Sequence, residues 1–199
     1  MIDLFVKGGP LMYAILGCSV IAWAIFFERL WCFHRAQRHM EPLTTEVLSL
    51  CRADKIEQAA TLCDSRGGVL ARLLVPVLTR AEQDRDQIKA QLEEVAAREV
   101  AALDRYLGLL GTIATIAPLL GLLGTVIGMI RAFNVIAAEG VGTPATLGGG
   151  ISEALITTAA GLSVAVPVIL LHRYLTSRVD RLTLELEENA MKIVDQVGG

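Results

Sequence analysis

Three long uncharged stretches constrain the fold of this chain more than any other feature. Gly8 to Phe27, Tyr106 to Ile130 and Ala154 to Leu171 contain no Asp, Glu, Lys or Arg. A bilayer core about 30 Å thick needs roughly 20 residues of helix, with a lower limit near 17. All three runs meet that requirement, the third only narrowly, so Glu153 or His172 is expected at the interface. The chain reads as an all-α integral membrane protein with three transmembrane helices and long cytoplasmic helical extensions.

Composition supports this. Of 199 residues, 53% are hydrophobic, yet 20% are charged. The charge is segregated into the segments between the runs, as in membrane spans separated by solvated parts. A net charge of −3 gives no reason to expect nucleic-acid binding. The first run reads as a retained span and not as a cleaved signal. Its start, MIDLFVK, is hardly basic, and Glu28-Arg29 follows with no small-residue cleavage site.

Orientation follows from Lys and Arg. Residues 29–105 hold twelve of the eighteen, residues 132–152 none, and the tail after Leu171 four. The positive-inside rule then predicts an outward N-terminus, a cytoplasmic large loop and tail, and an outward 132–152 loop. Four segments result: an amphipathic lead-in and first span (1–33), a cytoplasmic helical loop (34–104), spans two and three (105–172) and a cytoplasmic C-terminal helix (173–199).

Periodicity fills in the solvated parts. Leu43, Val47 and Leu50 share one helix face, and Ile56, Ala59, Ala60 and Cys63 another. Gly67-Gly68 breaks the chain, and Leu70 to Leu78 reads as a packed helix too short to span. Residues 79–102 have strong helix composition without Gly or Pro. One helix is therefore predicted from about Thr79 to Phe133, about 80 Å long. In the tail, Leu175, Val179, Leu182, Leu186, Asn189 and Ile193 form a heptad seam with one polar position. That seam serves either packing within the chain or a subunit contact. The glycine-rich stretch from Glu139 to Gly150 reads as a flexible connector. Its lack of a GK[ST] element argues against nucleotide binding.

Chemistry concentrates on spans two and three. Gly121, Gly124, Gly128 and, on span three, Gly161 are small residues that let helices approach closely. Pro118 and Pro167 are expected to kink or weaken their spans. Glu153 stands at the mouth of the third run with no basic residue close in sequence. An ionisable group at membrane depth is by default a functional-site hypothesis. Thr157 shares its face, while Thr158 points about 140° away, and Thr125 lies on the Pro118–Gly121 stripe of span two. Each has a bland alternative: a threonine hydroxyl bonding its own helix, and a carboxylate solvated at the membrane surface. No Asp or Glu lies inside any span, so a titrating group for proton transfer across the centre must come from another chain. The three histidines, His34, His39 and His172, flank spans, and no Ser/His/Asp, Cys/His or metal-ligand set stands at membrane depth. The four cysteines form no CxxC or Cys/His cluster, so neither an enzyme nor a metal site is expected, and no cofactor is called for.

The motif Ala117-Pro-Leu-Leu-Gly-Leu-Leu-Gly-Thr-Val-Ile-Gly-Met129, followed by Gly150-Ile-Ser-Glu-Ala-Leu-Ile-Thr-Thr-Ala-Ala-Gly-Leu162, resembles the ExbB/TolQ family of proton-channel subunits, related to the flagellar stator protein MotA. The order of spans and loops agrees over nearly the whole chain. Three spans, in place of the four usual in the MotA branch, favour the ExbB/TolQ branch. The resemblance implies a homopentamer around the single spans of two copies of an ExbD/TolR-like partner, whose transmembrane Asp carries the proton. It further implies coupling of the proton-motive force to a TonB/TolA-like envelope protein. The family's pore-facing threonines fall on Thr125 and Thr158, and its span-three glutamate on Glu153. Two alternatives stay open: a non-conducting membrane scaffold, and a sodium-driven member of the same superfamily.

Overall fold

The computed structural model describes residues 8–38, 40–79, 85–140 and 144–197. The predicted lead-in at residues 1–9 lies, up to Lys7, outside them. Among the described residues there are helices and no strand: α1 (Leu11–Arg38), α2 (Met40–Arg52), α3 (Ile56–Arg66), α4 (Val69–Leu78), α5 (Arg85–Leu103), α6 (Leu107–Glu139) and α7 (Pro144–Val197). Helices α1, α6 and α7 contain stretches long and apolar enough to cross a membrane, whereas α4 is apolar but only ten residues long. The all-α class with three candidate spans holds.

The chain forms two compact units. The first takes the chain up to Phe27 with Tyr106–Tyr174, and the second takes Glu28–Arg105 with Leu175 onward. In the first unit many large apolar side chains stay exposed, among them Leu119, Leu122, Val126 and Phe133 of α6 and Leu155 and Leu170 of α7. Such faces suit lipid or another apolar surface. Aromatic rings gather late in its part of α1: Trp23 stacks on Phe27 at 5.7 Å, and Phe26 lies 6.4 Å from Tyr174.

The second unit has a conventional core. Leu43 and Val47 of α2, Ala59 and Cys63 of α3, and Leu73 and Leu74 of α4 are buried. The predicted faces of α2 and α3 point into it through these residues. Arg72 of α4 forms a bidentate pair with Glu99 of α5 at 2.8 and 2.6 Å. Of the tail seam, Leu175, Val179, Leu182, Leu186 and Ile193 are buried within the chain itself. Intramolecular packing thus takes up the heptad face. Its polar member, Asn189, turns its amide back to the Glu185 carbonyl at 2.7 Å.

Two expectations about helix continuity are overturned. The single helix predicted from Thr79 to Phe133 does not exist. Thr79 closes α4, donating its backbone N–H to Val75, and α5 ends at Leu103. Tyr106 then adopts a left-handed conformation (φ +69°) before α6 begins. The cause is tertiary. The buried Arg29 guanidinium donates to the carbonyls of Ala102 (3.2 Å) and Leu103 (3.4 Å), with Glu28 bound to its Nε and Nη2 at 2.5 and 2.6 Å. A cation on the terminal carbonyls satisfies acceptors that a continuing helix would have used. The second correction concerns the glycine-rich connector, because α7 already begins at Pro144. Proline fits the first turn of a helix, where its missing N–H costs nothing. Gly150 is held by packing: a Cβ there would stand 2.9 Å from the Gly128 carbonyl and 3.0 Å from Ala132 Cβ.

Candidate functional site

Helices α6 and α7 approach closely because glycines alternate across their contact. A Cβ on Gly161 would lie 2.6 Å from the Ala117 carbonyl and 3.0 Å from Gly121 Cα. One on Gly128 would lie 2.8 Å from the Gly150 carbonyl, and one on Gly124 would overlap the Thr157 side chain. A Cβ on Gly121 would stand 3.1 to 3.2 Å from backbone atoms of Thr157 and Thr158. Backbones this close gain dispersion contacts and interhelical hydrogen bonds, which hold helices together in lipid. Pro118 and Pro167 both lie inside unbroken helices. Pro118 is half-buried, Pro167 exposed.

The threonines divide into three situations. Thr158 donates its hydroxyl across the helix pair to the Gly121 carbonyl at 2.9 Å. Thr125 donates within its own helix to the Leu122 carbonyl at 2.6 Å. Thr157 is buried, and its one hydroxyl proton is shared between the carbonyls of Glu153 and Gly8, both at 2.8 Å. Each hydroxyl keeps lone pairs able to accept a further bond.

Glu153 is not unpaired. Arg131, one residue past the uncharged run of span two, places Nη1 2.5 Å from Glu153 Oε1. The carboxylate side chain is 21% exposed and the arginine 50%. Sequence reading missed this partner because the two are 22 residues apart. A usable signal existed: in an antiparallel helix pair, the first charge after one span and the last before the next end up side by side. Gly9 is the other unforeseen neighbour. It sits at φ +73°, and the Glu153 carboxylate occupies the place where a Cβ would project. Gly8, Pro10, Leu11, Gly124, Glu153 and Thr157 surround a cavity of only about 10 Å³, at the lower limit for one water.

The structure therefore gathers Glu153, Thr157, Arg131, Gly8 and Gly9 at one end of the helix pair. Thr158 lies further along it against Gly121, and Thr125 belongs to neither group. The carboxylate and the Thr157 hydroxyl oxygen can accept hydrogen bonds from water, whereas the guanidinium only donates. Among the described residues no group of His, Cys, Asp and Glu is placed to hold a metal.

Comparison with known proteins agrees with this membrane helix pair. Residues 65–188 match the MotA/TolQ/ExbB proton channel family, a match that includes all of the α6–α7 contact. An ExbB-like biopolymer transport protein of Synechocystis sp. is 36% identical over 180 residues, covering 89% of this chain and 71% of that protein. The biopolymer transport protein ExbB of Salmonella typhimurium is 30% identical over 203 residues, covering 96% and 81%. The Tol-Pal system protein TolQ of Pseudomonas aeruginosa is 30% identical over 182 residues, covering 86% and 79%. With three candidate spans, a glycine-packed helix pair carrying an ion-paired glutamate, and similarity along most of its length, this chain belongs to the MotA/TolQ/ExbB proton channel family.

Proposed function

We propose that this protein is the ion-conducting stator subunit of an inner-membrane motor driven by the proton-motive force. In this reading Thr125 and Thr158 line the path, and Glu153 with Thr157 stands at its periplasmic end. Five copies surround an ExbD/TolR-like single-span partner whose transmembrane Asp carries the proton. The motor's output goes to envelope work or energised transport through a TonB/TolA-like protein. The large loop and tail are cytoplasmic. The observation that carries the reading is the Glu153–Thr157–Thr158 series on α7, a carboxylate and two hydroxyls on a helix whose membrane-length run has no other charge and only Ser163 as a further hydroxyl. Family membership supports it, and so do the names of the relatives, which describe those proteins as biopolymer transport and Tol-Pal components.

A second reading, a non-conducting scaffold, is favoured by one observation. All three threonine hydroxyls already donate inside the chain, Thr158 across the helix contact itself. Replacing Thr158 by Val therefore removes an interhelical hydrogen bond as well as a path hydroxyl, at a cost of about 0.6 kcal/mol for a bond of this kind.

The test is proton uptake into liposomes under an imposed potential, using the protein purified together with its single-span partner. Wild type is compared with Thr158→Val, Thr158→Ser and Glu153→Gln, with the thermal stability of each complex measured in parallel. Uptake is expected to fall at least tenfold in Thr158→Val and Glu153→Gln and to survive in Thr158→Ser, with all complexes intact. Equal uptake in all four sinks the path assignment and leaves the scaffold. Uptake that follows a sodium gradient in place of the potential-driven proton current assigns the chain to a sodium-driven branch.

A further inference from the structure

The ion pair at Glu153 and the left-handed turn at Gly9 meet on the same carboxylate from two different elements. Arg131 reaches it from the end of α6. The Gly8-Gly9 turn, leading into α1, reaches it from the other side: the Gly8 carbonyl accepts from Thr157 one turn along α7, and Gly9 leaves its Cβ position to the carboxylate. We propose that Arg131 and the Gly8-Gly9 turn are positioning residues that latch the Glu153 carboxylate, the guanidinium by charge and Gly9 by the space it leaves. The latch closes this end of the helix pair around a cavity that admits at most one water.

Three features argue that the arrangement is built and not incidental. A positive φ is uncommon for residues with a Cβ, so residue 9 needs glycine on conformational grounds as well as for room. Thr157 is buried with both of its hydroxyl partners in place, which ties the turn to α7 through a side chain. Arg131 pairs with Glu153 through one Nη1–Oε1 contact although half of its side chain is exposed, so the guanidinium holds the carboxylate by its charge. For an ion to reach the hydroxyls deeper along α7 by way of Glu153, the carboxylate must leave either Arg131 or the turn. The latch is thus a control point for entry. This last step rests on the path proposed above; the latch itself does not.

The test measures modification of Glu153 by dicyclohexylcarbodiimide in the full-length protein in liposomes, read by mass spectrometry of the peptide carrying it, at one fixed pH. Arg131→Gln and Gly9→Ala are each expected to raise the modification rate roughly fivefold, the scale of a partly exposed ion pair. Arg131→Lys should stay within about twofold of wild type. Gly17→Ala is the control, since a Cβ there meets nothing within 4 Å; it should leave the rate unchanged. Rates equal to wild type in both Arg131→Gln and Gly9→Ala overturn the latch, as does an equal rise in Gly17→Ala. Proton uptake in the same vesicles separates the two proposals. Faster modification with uptake insensitive to Glu153→Gln upholds the latch and removes Glu153 from the conducting path.

Discussion

Glu153 is held from two sides, by the Arg131 guanidinium and by the turn at Gly9, which leaves its Cβ position to the carboxylate. Its position before an uncharged run marked it as the carboxylate to watch, but Arg131 and Gly9, which define its chemistry, are distant in sequence. Cys63 is the opposite case. Its helical spacing suggested a small apolar core residue, and it is fully buried in the second unit. Burial, with Cys51 adding to it, pushes the Cys63 thiol up to about 11. The thiol should therefore resist iodoacetamide at pH 8 in the folded protein and react once the protein is denatured, as peptide mass spectrometry would register. The sign of the pH dependence follows. The folded state holds its proton where the unfolded thiol, near 9.0, has lost it, so this contribution to stability is full below about pH 9 and declines as pH rises towards 11. Rapid alkylation of native Cys63 at pH 8 would contradict that placement.

At the scale of elements, the α6–α7 pair depends on small residues at particular positions. Gly161 and Gly108 make a controlled comparison. A Cβ at Gly161 would press into backbone atoms of α6, whereas at Gly108 it would meet nothing within 4 Å. Gly161→Ala should lower the thermal midpoint of the detergent-solubilised protein, with a loss on the order of 1–3 kcal/mol from overpacking. Gly108→Ala should be neutral or slightly stabilising, by up to about 1 kcal/mol, because alanine is the better helix former. Circular dichroism melts compare the two, and equal midpoints would mean that the helices can move apart at no cost. Helix ends tell a related story. The break at residues 104–106 falls on Asp104-Arg105-Tyr106, which contains no Gly or Pro to mark it. It exists because the Arg29 guanidinium takes the terminal carbonyls of α5.

For the whole molecule, the division into two units follows the segregation of charge along the chain. The first unit exposes apolar faces of α6 and α7 that a solvated protein would have to cover. In the ring proposed above, lipid, further copies of the chain and the partner's span would cover them. Native mass spectrometry of the detergent-purified protein should give five times the 21.4 kDa chain mass, plus partner where it is retained. A monomer under conditions that preserve the helix content would count against the ring. Sequence alone determined the number of candidate spans, the all-α class, the soluble helical faces and the glycines and hydroxyls of spans two and three. These are local properties: lengths of uncharged runs, periodicity and residue size. Only the tertiary structure decided where α5 stops, that the heptad seam is filled within the chain, and that Glu153 is held by Arg131 and Gly9. Each of those depends on side chains brought together from distant positions. Local pattern records that a residue needs a partner, but only the folded chain supplies the partner.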